Sequence, residues 1–314
     1  LVLKAVSVVI PAHNAAKTIA TTLASLASEA GIIGEILLVD DASIDGTATA
    51  ALQAAAKLSL PLRVLPANCR DAGGARNIAL AQVLYPWVYL IDADDLHLES
   101  GLRALLQQAD RQPKADMIVG AYQRRVNGQD RQIKVPNGYQ AGCLANAAAY
   151  VKGDIRSVAV GSVLASRHLI GQTRFPVGLA YDEDTLFWAR LMSTASLAMI
   201  EQPVMVYEVS PMRSDDRFTI NPVRRFLDWR RELRTLTDCN IPVSALKTRE
   251  GLVALKIARV HYARGGLAMA ARFLAVAAAA PKRRSEAWRC LRYRLKLAVR
   301  RRLSAPLNQM QGAL

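Results

Sequence analysis

Carboxylates crowd the ends of two apolar runs and one helix start in this 314-residue chain: Asp40-Asp41 after Glu35–Val39, Asp92, Asp94 and Asp95 after Trp87–Ile91, and Asp182-Glu183-Asp184 at the start of a helical pattern. Such density is repulsive unless a cation or hydrogen-bond donors share the space. Asp92 and Asp94 are separated by one small residue, so a turn can aim both at one hard cation. Mg²⁺ or Mn²⁺ suits an all-oxygen pair and keeps positions open for phosphate oxygens. The spacing therefore points to a metal-assisted diphosphate ligand. Glu183 and Asp184 stand apart from this cluster, at the start of a helical pattern. Asp182 is placed to cap the helix, and acids in its first turn are favoured by the dipole.

The elements that position these groups follow from periodicity. Short apolar runs at Val6–Ile10, Glu35–Val39, Leu62–Leu65, Trp87–Ile91 and Met117–Ala121 alternate with helical patterns near residues 17–28, 47–58, 74–84 and 99–111. Alternation of this kind predicts an α/β fold with a mostly parallel sheet flanked by helices, whose ligands sit outside the carboxyl ends of the strands. Pro11-Ala12-His13-Asn14 ends the first strand there. Residues 123–141 are polar and carry Gly128, Pro136 and Gly138, which reads as an excursion. A strand at residues 157–165, a helix at 182–192 and two short strands at 197–200 and 204–207 extend the sheet. From Pro222 the pattern is helical, interrupted at Pro242, Gly265-Gly266 and Pro281, so the expected division is a sheet domain over residues 1–221 and a helical C-terminal extension over residues 222–314.

With these pieces in order, the chain resembles the inverting glycosyltransferases of family two, which have the GT-A fold. The resemblance rests on VSVVIPAHN at Val6–Asn14, LVDDASIDGT at Leu38–Thr47, GGARN at Gly73–Asn77, YLIDADD at Tyr89–Asp95 and DEDTLFWARL at Asp182–Leu191. Its nearest flavour is the bacterial exopolysaccharide, succinoglycan-type transferases. The resemblance implies a nucleotide-sugar donor bound by Pro11, Ala12, Asn14, Asp40 and Asp41, with Asp41 accepting from a uracil N3–H. Arg76 and Asn77 become donor-side contacts to base or phosphate, Asp92 approaches ribose or metal, and Asp94 ligates Mn²⁺ or Mg²⁺. Asp184 becomes the catalytic base, with Glu183 the next candidate, and Arg213 or Arg217 would neutralise phosphate charge. The family's proline after the aspartate cluster is replaced by the stretch Leu96–Ser100, a change confined to a loop. The acceptor would be a hydroxyl of a glycan or lipid-linked carrier.

Composition narrows the alternatives. Four scattered cysteines form neither a disulfide framework nor a zinc site, and the four histidines lack ligand spacing. A cytoplasmic setting is expected, with no secretion signal or membrane-spanning stretch in the sequence. The net charge of +15 is concentrated at the end, where residues 281–303 hold ten Lys or Arg against Glu286 alone. Within it Trp288, Leu291, Leu295 and Val299 recur at three- and four-residue steps, drawing a basic amphipathic helix suited to an anionic membrane surface, here the inner face of the plasma membrane. Few aromatics accompany the charges, which argues against a nucleic-acid partner. A sugar nucleotidyltransferase would carry a Gly-rich loop with a basic residue after the first strand, where this chain has Pro11–Asn14.

Overall fold

The computed structural model describes residues 6–209, 216–280 and 284–303. They form two compact units, one from the described part of Leu1–Arg213 together with Thr235–Ile241, the other from Ser214–Arg234 and Pro242–Leu314.

The first unit is built on a nine-stranded sheet: β1 (Val6–Ala12), β2 (Ile33–Asp41), β3 (Leu62–Ala67), β4 (Trp87–Leu90), β5 (Leu96–His97), β6 (Met117–Val126), β7 (Gln129–Lys134), β8 (Val163–Ser166) and β9 (Leu197–Val209). Their order is β3-β2-β1-β4-β8-β6-β9-β5, with β7 paired to β6. β1, β2, β3 and β4 run parallel, while β8 is antiparallel to both its neighbours. Parallel strands covered on both faces should be apolar throughout, and Val6–Ile10 and Ile36–Val39 are fully buried. The chain leaves β1 toward β2 on one side and later returns to β4 on the other, so the order reverses at β1. Ligands favour that crevice.

Helices α1 (Ile19–Leu26), α2 (Thr47–Lys57), α3 (Ala72–Leu80), α4 (Gly101–Arg111), α5 (Cys143–Val151), α6 (Arg167–Ile170) and α7 (Glu183–Met192) connect the strands. The alternation read from the sequence thus reappears as a GT-A-type sheet, with local differences. The excursion expected at residues 123–141 is largely a hairpin: β6 continues to Val126, turns at Asn127 and Gly128 with φ of 52° and 73°, and returns as β7. Two left-handed residues match the twist of the flanking strands, and the exposed hairpin needs no apolar face. The two strands expected at residues 197–207 are one, β9, which crosses Glu201–Pro203 by shifting register against β6 near Ala121. The strand expected from residue 157 starts only at Val163, after a 3₁₀ turn at Val160–Ser162, and α5 had no counterpart in the sequence reading.

The second unit contains α8 (Asp216–Thr219), α9 (Pro222–Arg234), α10 (Val243–Ala263), α11 (Leu267–Ala279) and α12 (Arg284–Leu303). Its core is aromatic where α9 meets α11: the Phe226 ring lies 5.5 Å from Trp229 and 5.2 Å from Phe273. No helix among the described residues is long and apolar enough to cross a membrane.

Candidate active site

The rim begins where β1 and β2 end side by side, Ala12 opposite Asp40. Asn14 adopts the left-handed region, at φ 51°, and turns its side chain across to the next loop. Its Oδ1 accepts from the Ile44 N–H at 2.9 Å and its own N–H donates to Ser43 Oγ at 2.9 Å. Asp45 continues the lacing, with Oδ2 accepting from the Ala16 N–H at 3.0 Å and Oδ1 from the Thr47 hydroxyl at 2.5 Å. The Thr47 hydrogen bond holds the Asp45 carboxyl below the usual carboxylate range. Asn14 is therefore a clamp between two strand ends, beside the half-buried Pro11 and the buried Ala12.

Asp41 and Asp40, both expected on the donor side, meet different surroundings. Asp41 is buried, and its carboxylate accepts from three consecutive backbone N–H groups, those of Cys69 at 2.5 Å and of Arg70 and Asp71 at 2.9 Å. It organises the loop into α3 with three of its roughly four acceptor positions. Asp40 Oδ1 is buried with no hydrogen-bond partner. Buried acceptors are seldom left unmade, and the residue as a whole is half-buried at the end of β2.

Asp71 caps α3, with Oδ1 accepting from the Gly74 N–H at 2.6 Å while Oδ2 accepts from the Gly178 N–H at 3.0 Å. Residues 175–178 thereby close over the helix start. Gly73 permits it, since a Cβ there would stand 2.9 Å from the Pro176 carbonyl oxygen. Asn77 completes the seam: its Nδ2 donates to the Phe175 carbonyl at 2.9 Å and its Oδ1 accepts from the Phe175 N–H at 2.8 Å. Both ends of the amide are thus engaged with the fold.

Arg76 is 3% exposed. Its guanidinium lies 5.1 Å from the centroid of the Phe175 ring, which stacks at 3.8 Å on Phe187 of α7. Nη2 donates to Asp92 Oδ1 at 2.6 Å, and Nη1 lies 3.5 Å from Glu183 Oε1. Burial opposes the cation, but Asp92 and Glu183 beside it hold its pKa above the ordinary value. Nε and Nη1 have no hydrogen-bond partner.

The aspartate turn after β4 brings ligand oxygens of Asp92, Asp94 and Asp95 within 4.8 Å of one another. Thr22 of α1 ties the turn down, its hydroxyl donating to the Ala93 and Asp95 carbonyls at 3.0 and 2.9 Å. Asp95 is buried and accepts from the Glu208 N–H of β9 at 2.9 Å. Three carboxylates, two partly exposed and all offering oxygen, fit a hard divalent cation. Asp95, the third member, was signalled only by its place next to Asp94.

At the start of α7, Asp182 occupies the N-cap position at φ 68°, but its side chain makes no cap hydrogen bond. Glu183 is pushed up to about 7, first by burial and then by the Asp184 charge, against the lowering effect of Arg76. Asp184 Oδ1 accepts from the Thr185 N–H at 2.7 Å. Arg213 lies outside the described residues, and Arg217 belongs to α8 of the second unit, its guanidinium 5.0 Å from the Phe218 ring centroid.

The family model described as "Glycosyl transferase family 2" matches residues 7–162, from β1 to the 3₁₀ turn before β8. Succinoglycan biosynthesis protein ExoO of Rhizobium meliloti is 33% identical over 105 residues, which cover 33% of this chain and 30% of that protein. The match thus spans under a third of that relative's length. Among solved structures, S. aureus TarS 1–349 in complex with UDP-GlcNAc superposes with a TM-score of 0.61 at 19% identity, over 82% of this chain and 73% of that one. The mannosyltransferase PcManGT from Pyrobaculum calidifontis, in complex with GDP-Man and Mn²⁺, gives 0.56 at 19% identity over 95% and 79%.

Proposed function

We propose that this chain, whose residues 7–162 match the model of glycosyl transferase family 2, is a transferase of that family that moves a sugar from a uridine diphosphate sugar to an acceptor hydroxyl with inversion at the anomeric carbon. The observation that carries this reading is the bridge by Arg76 between Asp92 of the aspartate turn and Glu183 at the start of α7. It supports one site in which a group that handles diphosphate and a group that handles a hydroxyl proton work side by side.

In this reading the half-buried Asp40 carboxylate accepts from the base, with Pro11 and Ala12 as the wall of the pocket. Asp92, Asp94 and Asp95 would hold Mn²⁺ or Mg²⁺, whose charge would offset that of the departing diphosphate. Arg76 holds Asp92 in place and adds a buried positive charge to the same region. Asp184 takes the proton of the acceptor hydroxyl as its oxygen attacks opposite the diphosphate, and Glu183 orients Arg76. The acceptor is a glycan or lipid-linked glycan of bacterial polysaccharide assembly, as the name of the Rhizobium relative suggests, met at the cytoplasmic, anionic face of the plasma membrane. The uridine choice leans on the UDP-GlcNAc complex of TarS.

A panel of UDP-glucose, UDP-galactose, UDP-N-acetylglucosamine and GDP-mannose, scored for nucleoside diphosphate release, tests the reading. Release of UDP is expected, with a product of inverted configuration by NMR. Pyrophosphate release from UTP and a sugar 1-phosphate, with no UDP released from the panel, would instead mark a nucleotidyltransferase, and a retained anomer would rule out the single displacement.

A further inference from the structure

We infer that α12 is a membrane-docking surface whose occupant is an anionic phospholipid bilayer. This gives the membrane placement proposed above a specific helix face. Successive residues of an α-helix are turned by about 100°, so Glu286, Cys290, Tyr293 and Leu297 lie along one side. That side is the packed one: Glu286, Cys290 and Leu297 are buried, and the Tyr293 ring meets Tyr262 of α10 edge-on at 5.6 Å. Trp288, Leu291, Leu295 and Val299 fall about half a turn away, and the unit leaves them in solvent, Trp288 at 65% exposure and the others at 45–58%. A helix needs one apolar stripe to join its own unit. This one has two, and the second has no partner among the described residues.

The surroundings of the outer stripe specify the occupant. Arg284 and Arg292 border it closely, Arg289 and Lys296 flank one side and Arg294 the other, all exposed, while the helix's single acid, Glu286, is on the buried side. Trp288 to Val299 spans about 16 Å along the axis, long enough to lie in a headgroup layer. A tryptophan and three aliphatic side chains can enter the acyl boundary while the long basic stems reach up to the phosphates. A second copy of the same helix would face these cations with cations, which disfavours a seam between copies.

Co-sedimentation of the full chain with phosphatidylcholine vesicles, with and without 30% phosphatidylserine, tests the inference. Retention is expected on the anionic vesicles and release at high salt. Trp288→Glu with Leu295→Glu should abolish retention without unfolding the protein, both positions being exposed. Arg289→Gln, Arg292→Gln and Lys296→Gln together should weaken it about 100-fold. An Asp94→Ala chain should still sediment, so failure of the catalytic reading would leave this result standing. Equal retention of the Trp288/Leu295 variant would overturn the inference. So would a dimer that this variant dissociates in the absence of vesicle binding, or tighter binding to a single-stranded oligonucleotide than to vesicles.

Discussion

Arg76 donates to Asp92 at 2.6 Å while its other terminal nitrogen stands 3.5 Å from Glu183, so one buried guanidinium joins α3, the aspartate turn and α7. Removing one partner of a buried ion pair costs more than the pair contributes, because the remaining charges lose their compensation. Arg76→Met should therefore destabilise the first unit by about 3–5 kcal/mol in urea unfolding. Arg76→Lys should recover part of the stability but little turnover, since an ammonium cannot reproduce the two-pronged geometry. A methionine variant within 1 kcal/mol of the parent would show that the bridge is not a strut.

Protonation of Glu183 near pH 7 links the site to pH. A carboxyl raised above its ordinary 4.5 prefers its neutral form in the fold, so its stabilising contribution is complete below that value and is lost as pH rises through about 7. As pH falls through 7 the same protonation removes a negative charge next to Arg76, and the KM for the nucleotide sugar should fall. Glu183→Gln should flatten both dependences. A KM profile unchanged by that substitution would dissociate Glu183 from donor binding.

Asp184 is expected to act on turnover. Asp184→Asn should leave nucleotide affinity nearly intact and lower kcat by roughly 10²–10⁴-fold, the usual contribution of a positioned base. If the asparagine variant keeps its rate while the Glu183→Gln variant loses it, the base is Glu183.

Asp40 and Asp41, adjacent in sequence, should respond in opposite ways. Asp41→Ala leaves three backbone N–H groups without their acceptor, and a thermal midpoint several degrees lower is expected. Asp40→Ala should leave the midpoint unchanged and weaken UDP binding in calorimetry. Unaltered UDP affinity in the Asp40 variant would remove it from the base pocket.

The strand-and-helix alternation and the aspartate rim were legible because they rest on local pattern: apolar runs of strand length, and polar residues crowded at their carboxyl ends. The hairpin of β6 and β7 was legible in part, since Asn127-Gly128 is a hairpin signal, but the polar composition of an exposed ribbon masked it. What the sequence hid is long-range. Nothing near Asn77 announces that its amide will close on Phe175, 98 residues away. The spacing of Asp40 and Asp41 likewise gives no hint that the loop at residues 69–71 will claim the second carboxylate.

The most direct measurement is a calorimetric titration of UDP into the full chain with Mn²⁺ and then with excess chelator, repeated on Asp94→Ala. If the aspartate turn binds a nucleotide diphosphate through a divalent cation, Mn²⁺ should tighten UDP binding at least tenfold in the parent and leave the Asp94→Ala chain at its chelator value. Equal UDP affinity of the parent in Mn²⁺ and in chelator, or an Asp94→Ala chain that retains the full metal effect, would contradict the assignment.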